Sequence, residues 1–245
     1  MRKYKYWLFL SVTGLFIFFA ISCPKTAQLT KDLSAPAWQD GEKTYYDIIM
    51  NDEIIGGAHY TIFLDMNVDM PVYILHLVTT TEPPYDYFYD TSVVCFRRDD
   101  FTPVWAWRKV ESDMGYSIVT TRYSESEAEI WKETIDGNES FEVRHDYPFY
   151  DNEMVLTLLR ALRFQRARRY QLDVIVPMTL EKITNTVRRI SKATVKTSVG
   201  SFECDKIQLR YHNRTYYIFY ERNEPRRLIR YQEKNTKIAL ELSED

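Results

Sequence analysis

The chain has 245 residues, of which 27% are charged and 15% are aromatic, and its formal net charge at pH 7 is −3. This length suits one large domain or two small ones. The slightly acidic balance argues against nucleic acid as the main partner, because binding to a phosphate backbone needs an excess of Lys and Arg.

The first predicted element is an export signal. Basic residues at positions 2, 3 and 5 precede an uncharged run over residues 7–21, which is shorter than the about 20 apolar residues of a spanning helix. The pattern is typical of a bacterial secretion signal that is removed, here residues 1–22. Without this segment, 29 basic residues stand against 35 acidic ones, a net charge near −6.

The end of the signal resembles the lipobox of bacterial lipoproteins. Ser22 precedes Cys23, which would receive the lipid, although that motif more often has leucine at the position of Ala20. The resemblance implies that an acylated Cys23 anchors the chain to a membrane of the bacterial cell envelope, facing the periplasm or the exterior, because several acyl chains together hold firmly. Ordinary secretion and an uncleaved anchor are the alternatives. The residue after the cysteine is Pro24 and not the aspartate that is associated with retention in the inner membrane. The sequence is therefore compatible with an anchor in the outer membrane.

Residues 23–37 are predicted to be a lipidated flexible tether, because Lys, Thr, Gln, Ser and Pro dominate them. The folded body is expected to begin at Trp38. It should form a single antiparallel β domain over residues 38–245, since no internal repeat divides it.

Short runs rich in Tyr, Ile, Val and Thr alternate between apolar and polar residues, which indicates antiparallel strands. The clearest runs from Asp205 to Tyr211, where Ile207 and Leu209 would share one face. Asn51-Asp52-Glu53 supplies turn chemistry between two of the strands. The other expected strands are 44–50, 57–64, 72–80, 85–96, 104–110, 116–123, 128–133, 170–176, 187–197, 215–220, 227–232 and 238–242.

One segment has helical spacing instead. Its apolar residues recur on one helix face: Met154, Val155, Leu158, Leu159 and Leu162. Asp151 can cap its start. One substantial helix among a dozen strands predicts a mainly β fold, in which a strongly curved antiparallel sheet wraps around the helix or is plugged by it. A barrel, a half-barrel and a two-sheet sandwich all fit this description.

Tyrosine contributes 19 residues. Tyr85, Tyr87 and Tyr89 share one predicted strand face, and Tyr216 and Tyr220 share another. Because Tyr combines apolar area with a polar tip, these residues are candidates for lining a site for an amphipathic, lipid-like ligand. Ordinary strand packing explains the same pattern, since Tyr favours strands.

A basic patch is expected at the end of the predicted helix and the start of the next strand: Arg160, Arg163, Arg166, Arg168 and Arg169. These arginines could bind acidic headgroups or a partner's carboxylates. The alternative is a solvated surface, which positive charge also favours at the C-terminus of a helix.

Cys95 and Cys204 remain once Cys23 is assigned to the lipid. An oxidising envelope would permit a disulfide bond between them. We favour two buried thiols in separate strands. Two cysteines alone do not make a zinc site.

The sequence offers little for catalysis. His59, His76, His145 and His212 have no metal-ligand spacing, and no nucleophile elbow, phosphate loop or zinc-protease motif occurs. We therefore predict a protein that is not an enzyme, with no catalytic residue, metal site or cofactor. A hydrolase would require side chains such as His59, His145, Ser and Asp to converge in one cleft.

Several short motifs occur along the body: Gly41-Glu42 with Tyr45, Gly56 or Gly57, Pro103, Leu159-Arg160-Ala161-Leu162, and Gly200-Ser201-Phe202-Glu203-Cys204 before Ile207. With them, residues 38–242 resemble the exported bacterial family known as domain of unknown function 3108. The chain departs from that family near its end, where Pro225 precedes the Arg227-Leu228 pair instead of following it. The resemblance implies a fold and an exported location, but no reaction. The plan of a curved sheet with a helix is also similar to the lipoprotein-carrier half-barrels of the envelope.

We therefore expect a lipid-anchored, non-enzymatic cell-envelope protein that binds an amphipathic ligand or an envelope component in or on a curved β-sheet. The alternative is a scaffold or assembly subunit of an envelope protein complex, with a filled interior. The enclosed volume discriminates between them, because a ligand site needs about 300 Å³ or more.

Overall fold

The computed structural model describes residues 29–34, 38–66, 70–81, 83–165 and 168–244. These residues form fifteen strands in one sheet, one α-helix and two short 3-10 helices. The predicted fold class, mainly β with one substantial helix, is thereby confirmed. The predicted signal, Cys23 and Arg166 lie outside the described residues.

The first half of the sheet is a meander in which each strand pairs antiparallel with the next. Alternation explains these strands, since Tyr73, Leu75 and Leu77 are buried while Ile74 and His76 between them are only half-buried. The strands are β1 Glu42–Met50, β2 Glu53–Asp65, β3 Val72–Thr81, β4 Phe88–Arg97, β5 Pro103–Ser112, β6 Gly115–Tyr123, β7 Glu127–Thr134 and β8 Gly137–Arg144.

The second half is a further meander that joins the first through the pairing of the first strand with the last. Its strands are β9 Tyr150–Asp151, β10 Tyr170–Val176, β11 Glu181–Thr197, β12 Gly200–Tyr211, β13 Arg214–Glu221, β14 Leu228–Glu233 and β15 Ile238–Ser243. The two-residue strand β9 pairs parallel with β10, and the other pairs are antiparallel.

The sheet is strongly curved but not closed. Its strand order runs from β8 through β1 and β15 to β9, so β8 and β9 are its two edges. Residues 145–149 alone connect these edges along the chain, and the connection can span at most about 20 Å. The two edges must therefore approach each other, as in an open barrel.

The strands define two rims. The N-terminal rim is the end at which β1 begins, β2 ends and β3 begins, marked by Glu42, Asp65 and Val72. The opposite rim is marked by the turn at Asn51 and Asp52, whose φ angles of 54° and 70° confirm the turn predicted there.

The predicted helix begins where expected. Asp151 has φ −79° and ψ 145°, and its carboxylate accepts a hydrogen bond from the backbone N–H of Glu153 at 2.7 Å, which satisfies a free donor of the first turn. A 3-10 turn over Asn152–Met154 leads into α1, Val155–Ala161. The described helices include none with both the length and the apolar character needed to cross a bilayer.

The packed body begins earlier than predicted. Leu29–Asp32 forms a 3-10 helix, and Leu29 is 3% exposed. The Asp32 carbonyl accepts a hydrogen bond from the backbone N–H of Arg163 at 2.9 Å. The prediction that residues 23–37 form a flexible tether is therefore wrong for residues 29–34. The side chain of Leu29 is buried, and the carboxylate of Asp32 forms an ion pair with Arg168.

Candidate functional site

The interior of the curved sheet is occupied by α1. The hydroxyl of Tyr220 on β13 donates to the carbonyl oxygen of Leu156 at 2.5 Å. Arg160 forms an ion pair with Glu42 at the start of β1, with 2.5 Å between the charged atoms. These contacts hold the helix to both halves of the sheet.

The cavities that border α1 are small. One, of about 30 Å³, lies between the helix and β1–β3 and is lined in part by Tyr46, Tyr60 and Arg160. Another, of about 10 Å³, lies beside Asp151 and Glu153. The first is large enough for a water molecule, but both are far below the about 300 Å³ of a ligand site. Where the described strands meet α1, the interior is filled.

A buried charged network lies at the start of the helix. On β5, the Arg108 guanidinium binds Asp90 of β4 through two hydrogen bonds of 2.6 and 3.0 Å. The same guanidinium binds Glu153 at 2.7 Å. Asp151 accepts a hydrogen bond from the hydroxyl of Tyr123 on β6. Three carboxyl groups, one guanidinium and one tyrosine hydroxyl thus join three strands to the helix start.

Burial sets the protonation of this network. It raises the pKa of Asp151 to about 7, and the charge of Glu153 adds to this effect. Burial also raises the pKa of Glu153, although Arg108 opposes the change. For Arg108, burial works to lower the pKa, but the hydrogen bond with Asp90 and the charge of Glu153 outweigh it and raise the pKa. The guanidinium therefore stays charged.

The network is suited to structure rather than to chemistry on a substrate. Its adjoining cavity of about 10 Å³ holds no substrate, and the sequence identified Asp151 only as a cap. The inward position of Asp90 was not readable from its strand, because buried residues of both parities follow it, among them Val94, Cys95 and Phe96. Its pairing with Arg108 was not predictable either, because neither strand alone determines the cross-strand register.

We expect the contribution of Asp151 to the stability of the protein to fall as the pH rises from about 4 to about 7. The folded-state pKa of Asp151 is raised to about 7 from an ordinary 3.8, so in this window the folded protein retains a proton that the unfolded chain has released. Asp151→Asn keeps an N-cap acceptor and should be more stable than wild type at pH 8, by a difference of about a few kcal/mol that disappears near pH 4.

Urea unfolding of both proteins at several pH values measures this difference. The matched control is Asp146→Asn, because the Asp146 side chain is 96% exposed. An equal pH slope in wild type and Asp151→Asn would contradict the prediction.

The histidines do not assemble into a catalytic site among the described residues. The rings of His59 and His76 lie 6.2 Å apart between centroids, and His76 Nε2 lies 3.1 Å from the hydroxyl oxygen of Thr91. His145 is buried after β8, with its ring against Phe149. The part of the chain that the structure describes contains no group of three or more His, Cys, Asp or Glu side chains arranged to hold a metal ion.

The three tyrosines at 85, 87 and 89 do not share a strand face, which corrects the prediction. Strand β4 begins only at Phe88, so Tyr85 and Tyr87 lie in the preceding turn, after two consecutive prolines at 83–84. The Tyr85 hydroxyl donates to Glu53 at 2.7 Å, and Tyr87 is 51% exposed. Neither residue lines the interior.

Tyr216 and Tyr220 do share a face of β13. Tyr220 is fully buried, and the ring of Tyr216 stacks on Tyr231 with 5.3 Å between centroids. They pack against the core and the helix, so they fill the sheet rather than surround a ligand.

Most of the described arginines of the basic patch form ion pairs within the chain. Three of its arginines have acidic partners: Arg160 with Glu42, Arg163 with Glu224, and Arg168 with Asp32. Arg160 is also the most buried of the three, with its side chain 11% exposed. Arg169 is exposed. The ion pair fixes the buried Arg160 within the fold, whereas the side chains of Arg163 and Arg168 remain 46% and 51% exposed.

Both remaining cysteines are free and buried, in separate strands. Burial raises the pKa of Cys95 to about 11 and that of Cys204 to about 12. We therefore expect both thiols to react slowly with a disulfide reagent in the folded protein, because the thiolate is the reactive form. A thiol titration before and after denaturation checks this, and a loss of both thiols on oxidation without unfolding would contradict it.

An open depression of about 590 Å³ lies at the N-terminal rim. Met70, Arg97, Asp100, Tyr123 and Tyr147 are among the residues that line it. The sequence patterns gave no sign of it, because turns that follow different strands build it together.

Comparison with known proteins supports the architecture. No family model and no curated protein matches the chain, so the resemblance to family 3108 is not borne out. The fold is similar to that of the crystal structure of a β-barrel-like protein of domain of unknown function DUF1849 from Brucella abortus, with a TM-score of 0.55 over 82% of this chain and 95% of that chain. Since the two sequences are 8% identical, the likeness shows the fold alone: a β-barrel-like domain.

Proposed function

We propose that the protein is a non-enzymatic, lipid-anchored cell-envelope protein that acts as a scaffold, binding an envelope component on the outside of its sheet. The observation that carries this proposal is the filled interior. The cavities of about 30 and 10 Å³ beside α1 are too small for a lipid-like ligand. A carrier that encloses its cargo would need the space that the helix takes.

The surface that best fits a scaffold is the open edge of the sheet at β8. This strand pairs with β7 on one side only and is mostly exposed, with Glu139, Ser140 and Glu142 all at the surface. An exposed edge strand offers backbone donors and acceptors to an extended segment of another protein. The other edge, β9, has two buried residues and offers much less.

A photoreactive residue in place of Glu142, in the full chain expressed in cells, tests this surface. We expect a covalent adduct with an envelope protein, which a proline at Ser140 weakens because proline removes a ladder donor. The matched control places the same photoreactive residue at the exposed Lys192 of β11. Equal adducts at both positions, or none at Glu142, would refute the edge as the contact.

The lipid anchor has its own test. Metabolic labelling with palmitate should mark the full chain and should be lost in Cys23→Ala, but not in Cys204→Ala, whose sulfur is buried in the body. If the wild-type chain stays unlabelled while a control lipoprotein is labelled, the protein has no lipid anchor. The scaffold function would then still be tested by the crosslinking experiment.

A further inference from the structure

The described part of the chain begins at the N-terminal rim. The backbone N–H of Ser34 donates to the carbonyl of Ala161 at the end of α1, 3.1 Å away. Asp32 accepts a hydrogen bond from the hydroxyl of Tyr170, the first residue of β10, at 2.9 Å. The residues that precede Leu29 are therefore joined to the body at this rim.

The proposed anchor is close to Leu29 along the chain. Cys23 lies six positions before Leu29, and six residues span at most about 21 Å. The strands β3, β4 and β5 have 10 residues each, so the two rims are separated by up to about 30 Å. An anchored Cys23 thus brings the N-terminal rim nearer to the membrane than the opposite rim.

The surface around this rim has the composition of a membrane-contacting surface. Five large apolar side chains are exposed there: Phe63 45%, Met66 58%, Met70 40%, Trp105 38% and Tyr147 55%. Trp and Tyr favour the headgroup level of a bilayer. Arg98 and Arg122 are exposed among them, and so are the acids Asp65, Asp99, Glu125 and Asp146.

The opposite rim also exposes apolar residues, among them Ile54 63%, Tyr87 51%, Met114 91%, Ile135 65% and Ile238 48%. Exposed charges of both signs lie there as well, such as Asp113, Asp136 and Lys237. Surface composition therefore does not distinguish the two rims, and the chain path from Cys23 selects the N-terminal one.

We propose that the N-terminal rim lies against the membrane surface, with Met66 and Met70 at the headgroup level and the turns around Met114 and Ile135 pointing away from the bilayer. This orientation rests on the proposed lipid anchor. It leaves the β8 edge upright on the membrane, where it is accessible from the side.

Two matched pairs of labels test the orientation in the full chain. Met70→Cys and Met66→Cys place a fluorophore at the N-terminal rim, and Met114→Cys and Ile135→Cys place it at the opposite rim. All four positions are exposed, and the cysteines at 95 and 204 are buried. The protein is reconstituted in phosphatidylcholine and phosphatidylglycerol vesicles whose acyl chains carry bromine, a short-range quencher.

We expect the chain to float with the vesicles and the labels at 66 and 70 to lose fluorescence, while those at 114 and 135 keep theirs. Equal quenching of both pairs, or stronger quenching at 114 and 135, overturns the orientation but leaves the anchor intact. A chain that stays in the aqueous fraction overturns the anchor, and the orientation with it.

Discussion

Arg108→Ala is expected to lower the free energy of unfolding by about 3 kcal/mol, at the low end of what removing one partner of a buried ion pair costs. The guanidinium binds Asp90 and Glu153 at 2.6 and 2.7 Å, and all three side chains are no more than 24% exposed. Its loss leaves carboxylates facing each other without a cation. The decrease in the free energy of unfolding should be smaller at pH 5 than at pH 8, because at pH 5 the unpaired carboxylates can take up protons.

Urea unfolding of the variant at the two pH values measures this effect. The matched control is Arg97→Ala, whose pair with Asp99 is 43% and 67% exposed and should be worth about 0–1 kcal/mol. The double variant Arg108→Met with Glu153→Gln should recover part of the loss, because it removes charges from both sides of the network. Equal losses for Arg108→Ala and Arg97→Ala would show that the network does not hold the helix.

Leu158→Ala is expected to destabilise the protein by about 2–5 kcal/mol, because it removes a fully buried side chain from the helix inside the sheet. The same change should open an apolar cavity there, which a small apolar probe such as benzene or xenon can enter. Wild type should bind no such probe at this position. The control is Met114→Ala, because Met114 is 91% exposed and should change stability by no more than about 0.5 kcal/mol.

Chemical unfolding and the dependence of the melting temperature on probe concentration measure the two effects. Stabilisation of wild type by a lipid-like fluorophore, with no additional effect in Leu158→Ala, would mean that the interior is not filled. That result would favour the hypothesis that the sheet encloses an amphipathic ligand over the hypothesis of a scaffold.

The fold class followed from the sequence because the two-residue alternation of a strand is easily distinguished from the spacing of a helix. Alternation gave Tyr170–Val176 with the observed bounds, and helical spacing after Asp151 gave the helix. Strand β8 was missed because Phe141 and Val143 are its only large apolar residues and Glu139 occupies the next position on their face, as expected for an edge strand with little burial. The open order of the sheet was not predictable, because pairing between β1 and β15 joins residues at the two ends of the body.

The candidate site was less predictable than the fold. The sequence identified Tyr220 as a lining residue, but only the structure shows that its hydroxyl is bonded to the helix backbone. The arginines around α1 were predicted to be a binding patch, but Arg160, Arg163 and Arg168 have acidic partners that come from distant segments. Local patterns reveal which residues are charged or aromatic. They do not reveal which partner the folded chain brings to them.

The pairing of β1 with β15 has a consequence for biogenesis. During synthesis β1 emerges first, while Ile238–Ser243, which supplies its partner, emerges last among the described strands. Until then one side of β1 is unpaired, and the two meanders have no ladder between them. Such a late, distant closure slows assembly and exposes the nascent chain to misassociation, so a holding chaperone would have its greatest effect in that interval. Loss of this six-residue strand would remove the ladder that joins the two halves.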